Sequence, residues 1–347
     1  MSTNLELSHL GWSPLFQQQL SLSEWESSLP ARVSSVHREH LSLLSSQGQH
    51  NLKFHHSMPN ITVGDWVLLT DEGKFQRRLE RSSLISRKAA GSKVDEQMIA
   101  ANVDSVFIVC SLNDDFNLNR IERYLALVKE VGAQPVVVLT KADCCDDPWR
   151  YVEQVKALDK WLMVEAVNGL DRASVNALSP LCQQGKTIVI LGSSGVGKST
   201  LVNSLLGKTA AETGAIRDAD SKGRHTTTAR SMHFLSDGGI LLDTPGMREL
   251  QIADCEDGIK QTFSDISELA SQCQFSDCQH QAEPHCAVQA AVALGELTQR
   301  RLDNYFKLLR EQALNGATLA QRRSHDRSLS RLYRTVQSQA RQRKQGE

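Results

Sequence analysis

The chain has 347 residues, 40% of them hydrophobic and 23% charged, which allows two or three domains and excludes disorder along its whole length. A net charge of −1 argues against a polyanion partner spread over the entire surface, and eight Cys are too few for a disulfide-stapled scaffold. No apolar run approaches the roughly 18 residues of a membrane span, and the start MSTNLELSHLGWSP lacks the basic and apolar regions of a secretory signal, so a cytoplasmic protein with no membrane partner is expected.

Residues 1–30 are polar and mixed, without periodicity, and read as an N-terminal extension. Short β-like runs at Ala31–Val36, His40–Leu44, Asn60–Thr70 and Leu79–Ser86, separated by turn-formers, predict a small all-β barrel over 31–98. From 99 to 252 strands alternate with helices. The strands are Val103–Cys110, Pro135–Thr140, Leu162–Ala166, Thr187–Gly192 and Gly239–Thr244, with helices at Leu118–Val131, Val152–Leu162 and Ser199–Leu206. That alternation predicts a mostly parallel α/β sheet. Over 253–320 two helical stretches, 256–272 and 287–313, bracket a Cys/His cluster. The tail, 321–347, carries eight Arg or Lys against two acidic residues; a second basic cluster comprises Lys74, Arg77, Arg78, Arg81, Arg87, Lys88 and Lys93. Such clusters are either nucleic-acid footprints or solvated faces.

Gly192, Ser193, Ser194, Gly195, Val196, Gly197, Lys198 and Ser199 fit G-x-x-x-x-G-K-[ST], followed by Thr200. The motif follows an expected strand and opens an expected helix, as a phosphate loop must. Its backbone N–H groups and the helix N-terminus favour phosphate oxygens. Lys198 would bridge the β- and γ-phosphates and the Ser199 hydroxyl would bind Mg²⁺. Asp243-Thr-Pro-Gly246 ends another strand, where Asp243 can hold Mg²⁺ through water and the Gly246 N–H can sense a γ-phosphate. Thr140, Lys141, Ala142 and Asp143 end a third. The Asp143 carboxylate can accept from the N1–H and N2–H₂ edge of guanine, which adenine lacks. The base motif precedes the phosphate loop, which precedes DTPG. A parallel sheet gathers strand ends whatever their chain order, so a circular permutation preserves the site. Val164–Asn168 is placed to back the base.

Cys273, Cys278, His280 and Cys286 give C-x₄-C-x-H-x₅-C, three thiolates and one imidazole for tetrahedral Zn²⁺. With no position open to water, the metal would be structural. His285 competes as a ligand, but its adjacency to Cys286 disfavours it.

With these motifs in place, the chain resembles the circularly permuted ribosome-assembly GTPases called RsgA, also YjeQ or YloQ. The resemblance runs from about residue 30 to about 315. It includes VGDWV, SRKAAG at 86–91, AANVDSVFIV at 100–109, RYLALV at 123–128, GSSGVGKST, GRHTTTAR at 223–230, DTPGMRE and the Cys/His cluster. It implies a multidomain α/β protein: an N-terminal OB-fold β-barrel, a circularly permuted P-loop GTPase domain and a C-terminal helical zinc-binding domain. It also implies a monomeric GTP hydrolase that binds the small ribosomal subunit and its rRNA late in maturation, with other assembly factors, GTP/GDP, Mg²⁺ and one zinc ion as partners and cofactors. Gly246 is followed by Met247, which cannot orient water as the Gln of many GTPases does, so turnover should be slow and subunit-stimulated. The segment Gly223–Thr228 lies where a first switch belongs. One Thr among 226–228, here Thr227, would bind Mg²⁺, and the resemblance makes His225 the group that positions the water. Thr140 stands where the family usually has Asn, which ties the base loop to the phosphate loop, so weaker nucleotide affinity is expected. Gly195 stands where potassium-activated GTPases carry Asn, which places that route of activation in doubt. Two other classes compete: an RNA-binding module with GTP as a mere latch, and a P-loop kinase or ATPase. Hydrolysis kinetics discriminate the first, ATP competition the second.

Overall fold

The computed structural model describes residues 6–55, 57–88, 96–113, 115–207, 230–243, 255–281 and 283–316. Short helices α1 (Pro14–Gln17) and α2 (Leu22–Ser27) precede strands β1 (Ser28–Val36), β2 (His40–Ser45), β3 (Gly48–Lys53), β4 (Trp66–Thr70), β5 (Phe75–Arg78), β6 (Leu84–Lys88) and β7 (Glu96–Ala101). Then come β8 (Ser105–Ser111), α3 (Leu118–Glu130), β9 (Gln134–Thr140), α4 (Pro148–Lys156), β10 (Met163–Val167), α5 (Arg172–Val175), β11 (Thr187–Gly192), α6 (Lys198–Leu206), β12 (Arg230–Phe234) and β13 (Ile240–Asp243). Four helices close the described chain: α7 (Glu256–Thr262), α8 (Ser264–Ala270), α9 (Ala287–Leu294) and α10 (Gln299–Gly316). No described helix is long and apolar enough to cross a membrane.

The central sheet runs β10-β9-β8-β11-β13 with every neighbour parallel, and β12 adds antiparallel to β13. Its middle strands are buried on both faces, so they carry continuous apolar runs without alternation. Val106, Ile108 and Cys110 of β8 face one core with Ile121, Leu125 and Val128 of α3 and Val152 and Val155 of α4. Phe107 and Val109 face the other, with Leu201 and Leu205 of α6. Helices therefore cover both sides of the sheet. Helix α4 begins at Pro148, earlier than the apolar spacing suggests, because Asp147 caps it and proline fits its first turn.

Strands β1–β5 pair antiparallel in the order β3-β2-β1-β4-β5 around Ala31, Val33, Leu41, Leu43, Val67 and Leu69. A β3–β5 ladder that would close a barrel is not among the ladders of the described residues. The opposite side of β4, Trp66 and Leu68, is covered by Leu10 and Phe16. The polar first 30 residues thus contribute two anchors to a core, and the boundary drawn at 30/31 falls inside β1. Strand β12 was not legible in the sequence and joins the two units: Ser231 and Arg230 pair with Ser35 and Val36 of β1.

The C-terminal stretches are four helices rather than two, broken at Phe263 and after Leu294. Ile259, Phe263, Ile266, Val288, Leu302 and Leu308 form their core, with Ala126 of α3. Gly258 permits that contact, since a Cβ there would lie 2.0 Å from the Ala126 carbonyl oxygen. Glu122 of α3 is fully buried and binds Arg300 and Arg301 of α10, both at 2.9 Å, and Asn304 at 2.5 Å. Arg301 also grips Asp265 bidentately, at 2.7 and 2.8 Å.

Candidate nucleotide and metal sites

All five parallel strands point their C-terminal ends the same way, and the sequence motifs sit there. Ligands in open α/β sheets bind at that edge. Thr140 ends β9, Gly192 ends β11 and Asp243 ends β13. Gly192 is required where it stands: its φ is 153°, and a Cβ would meet the Val109 carbonyl oxygen at 2.4 Å. Gly197, with φ 89°, then caps α6, and Lys198 and Ser199 open the helix. Val196 is buried in the core beneath, which pins the loop tip, while Ser194 and Gly195 are exposed. The Lys198 Nζ donates to the Ser193 carbonyl oxygen.

The base motif and the phosphate loop are in direct contact. The Thr140 hydroxyl donates to the Val196 carbonyl oxygen at 2.5 Å, and Lys141 Nζ donates to the Gly195 carbonyl oxygen at 3.0 Å. Thr140, standing where the family usually has Asn, thus keeps a tie between the two loops through its hydroxyl. Lys141 adopts the left-handed conformation, φ 59°, which turns the chain into the short helical turn Ala142–Cys144 and leaves Asp143 exposed. The neighbouring Cys144 thiol donates to Asp143 at 3.5 Å, and that carboxylate raises the thiol pKa. On the other side, Ser204 of α6 donates to the Gly169 carbonyl oxygen at 2.6 Å, and Gly169 lies against Thr200. The loop after Val164–Asn168 is thus fastened beside the phosphate loop.

Asp243 ends β13 opposite Ser231. Burial raises its pKa, opposed by the nearby His233. Gly246, His225 and Thr226–Thr228, including Thr227, lie outside the described residues, as does Met247.

One contact at the phosphate loop was missed in the sequence. Arg120, in the first turn of α3, donates from Nη1 to the Ser193 hydroxyl and to Asp115 Oδ2, both at 2.7 Å. The signal available was Asn117, an N-cap residue immediately before an apolar helical run, which starts α3 just beyond the end of β8.

Cys273, Cys278, His280 and Cys286 bring their ligand atoms within 4.8 Å of one another. Cys273 and Cys286 sulfurs are 3.8 Å apart, and each is 3.5 Å from His280 Nδ1. A tetrahedron with Zn–S near 2.3 Å and Zn–N near 2.0–2.1 Å has edges of about 3.8 and 3.5 Å. The residues therefore fit a zinc ion, bound through Nδ1. Cys286 also caps α9, accepting from the Gln289 N–H at 3.5 Å. Burial resists ionisation of Cys273, but hydrogen bonds from the backbone N–H groups of Ala287 and Val288 and from the Cys286 and Cys278 thiols together lower its pKa. His285 is exposed and stands outside the cluster.

The basic cluster at 74–93 is largely paired. Arg81 binds the buried Asp65 bidentately at 2.6 and 2.8 Å, Arg77 binds Glu24 at 2.7 Å and Lys74 binds Glu72 at 2.5 Å. Lys93 and the Lys88 side chain lie outside the described residues.

Comparison with known proteins agrees with this geometry. The model of the RsgA GTPase family matches residues 78–253. A small ribosomal subunit biogenesis GTPase RsgA 2 of Vibrio parahaemolyticus is 58% identical, covering 99% of this chain and 96% of the relative. A small ribosomal subunit biogenesis GTPase RsgA of Mesorhizobium japonicum is 47% identical, covering 89% and 90%. The crystal structure of YjeQ from Thermotoga maritima superposes with a TM-score of 0.63 at 26% identity, covering 82% of this chain and 98% of that one. YloQ, described as a circularly permuted GTPase, gives 0.60 at 26% identity, covering 82% and 94%. A phosphate loop tied to a base motif that precedes it in the chain, together with identity of this extent, places the protein in the RsgA GTPase family.

Proposed function

We propose that this chain hydrolyses GTP to time its own release, and that of other assembly factors, from the maturing small ribosomal subunit. The observation that carries the nucleotide half is the pair of bonds from Thr140 and Lys141 to the phosphate loop, which brings Asp143 to the same strand edge as Lys198. Asp143 accepts the two donors of guanine, and the Lys141 stem packs over the base. Lys198 leaves the Ser193 carbonyl for the β- and γ-phosphates. Ser199, Asp243 and Thr227 are the candidate holders of Mg²⁺, which when bound neutralises charge on the β- and γ-oxygens. His225 positions the attacking water. The names of the relatives support the ribosomal half.

The strand order β3-β2-β1-β4-β5 supports an OB-type unit for rRNA. Because Arg77 and Arg81 already have acidic partners, the tail at 321–347 is the stronger candidate for salt-sensitive phosphate contacts. The Cys/His cluster holds a structural zinc ion with no position left for water. The protein acts as a cytoplasmic monomer.

The test is GTP hydrolysis by purified protein with small subunits, with large subunits and alone, and with ATP in place of GTP. Stimulation by small subunits only, specific for GTP, is expected. Equal competition by ATP overturns the role of Asp143, and turnover that small subunits never raise overturns the timer.

A further inference from the structure

We propose that Arg120 is a positioning residue for the phosphate loop and takes its own position from the C-terminal helices. This rests on the phosphate loop binding nucleotide. Ser193 is held at two atoms: its carbonyl oxygen accepts from Lys198 and its hydroxyl from Arg120, at 2.7 Å. Lys198 must quit that carbonyl to reach a phosphate. Among the described residues, the Arg120 side-chain contact is the one that remains, so the first residue after Gly192 keeps its place while the lysine transfers. Asp115 accepts from the same Arg120 Nη1 at 2.7 Å and helps fix the guanidinium.

Arg120 does not stand free on its helix turn. Asn119 accepts from Arg300 Nη1 at 2.5 Å through its side chain, and its carbonyl accepts from Asn304 Nδ2 at 3.3 Å. Glu122 takes Arg300 through both oxygens, at 2.9 and 3.0 Å, and Asn304 at 2.5 Å. The residues flanking Arg120 are thus clamped by α10 of the helices that carry the Cys/His cluster. A displacement of α10 would move the first turn of α3, and with it the donor on Ser193. Misplacement by about 1 Å is enough to cost about a hundredfold at a reacting site. The C-terminal unit therefore has a route to the nucleotide that bypasses the chain between Gly207 and Arg230.

The experiment titrates full-length, metal-loaded protein with N-methylanthraniloyl-GDP in Mg²⁺ and measures kcat and KM for GTP. Arg120→Ala and Ser193→Ala should each raise Kd about five- to tenfold and raise KM with it, with kcat within about twofold, the pattern of lost uniform binding. The double variant should be no worse than Arg120→Ala alone, because Ser193→Ala removes a bond that Arg120→Ala has already lost. Arg120→Lys should recover part of the loss. Arg300→Gln, at a side chain one-third exposed, should raise Kd about threefold in the wild-type background and not at all beside Arg120→Ala. Ser193→Ala breaks the same bond without touching α3, so it decides the matter if Arg120→Ala fails to fold. Wild-type Kd and KM in Ser193→Ala, or additive effects of Arg120→Ala and Ser193→Ala, overturn the positioning role. An Arg300→Gln effect of equal size in both backgrounds overturns the link to α10. A wild-type protein that binds no guanine nucleotide would instead sink the nucleotide reading itself.

Discussion

Arg32 on β1 and Glu122 on α3 are both fully buried charges, 1% and 0% exposed, but they are satisfied differently. Among the described residues, Arg32 has no carboxylate in hydrogen-bond reach. It donates to three carbonyl oxygens, of Leu10 at 2.6 Å, Asn102 at 3.0 Å and Gly64 at 3.2 Å. Burial pushes its pKa down to about 10, with Asp104 and Asp65 opposing at longer range. Glu122 instead sits between two arginines and an asparagine from α10. The N-terminal unit is accordingly fastened to the sheet by main chain, through Arg32 and the β1–β12 ladder. The C-terminal unit is fastened by charge. Neutralising one residue should loosen the second attachment more than the first.

The largest effect should come from a metal ion at the Cys/His cluster, which belongs to the C-terminal unit. In zinc-finger peptides such binding supplies about 10–16 kcal/mol of apparent folding energy. Chelation, or Cys273→Ser, should unfold α7–α10 while leaving the sheet, since among the buried residues of their core only Ala126 belongs to the central unit. Limited proteolysis should then cut first within 255–316, and cleavage starting in 31–88 would contradict the division.

Glu122→Gln comes next. Removing one partner from a buried ion pair costs about 3–5 kcal/mol. The loss should lie near 3, because Arg301 keeps Asp265. Urea unfolding followed by circular dichroism measures it; a change under about 1 kcal/mol would mean that charge is not what holds α10. Arg32→Met should cost less, about 2 kcal/mol. It orphans the carbonyls of Leu10 and Asn102 at about 1–3 kcal/mol per group, but relieves a desolvated charge. The Gly64 carbonyl keeps a donor in Asn102 Nδ2 at 2.9 Å. If Arg32→Met exceeds Glu122→Gln on the same urea scale, the contrast between the two attachments is reversed.

What the sequence disclosed follows the range of the interactions. The phosphate loop and the Cys/His cluster are local patterns, spanning eight and fourteen residues, and each carries its own chemistry. The parallel strands were legible because burial on both faces makes an uninterrupted apolar run. Strand β12 was not, since Arg-Ser-Met-His-Phe buries no side chain fully and is placed by a hairpin with β13 on one edge and by β1, far away in the chain, on the other. Strand β3, GQHNLK, buries one residue, so it offers no apolar pattern even though its partner β2 is adjacent in the chain. Thr140 was recognised by position, but its bond to Val196 depends on a carbonyl 56 residues away. Arg120 and Glu122 share a helix turn, and nothing in its spacing tells which residue meets the phosphate loop and which meets α10.

The smallest effect concerns the N-terminal segment, where an ion pair between Glu24 and Arg77 sharpens the contrast. Ser21 and Glu24 form a capping box on α2, a pattern visible in Ser-Leu-Ser-Glu. Glu24 also receives Arg77 at 2.7 and 3.1 Å, which, with the Ser21 backbone N–H next, holds its carboxyl down to about 2. A carboxyl with a depressed folded pKa stabilises fully above its unfolded value, here 4.5. That contribution is lost as pH falls through about 2, because the unfolded chain takes up the proton first. In wild type, stability should therefore decline between those limits partly through Glu24, whereas Glu24→Gln should start lower at neutral pH and decline less steeply. Exposure to solvent keeps the difference below that of Arg32→Met. Thermal unfolding at a series of pH values between 2 and 5 separates the two slopes. Parallel curves would mean that the Glu24 charge contributes nothing to holding α2. Both outer units would then differ even more: one secured by main chain and apolar packing, the other by a metal and a buried carboxylate.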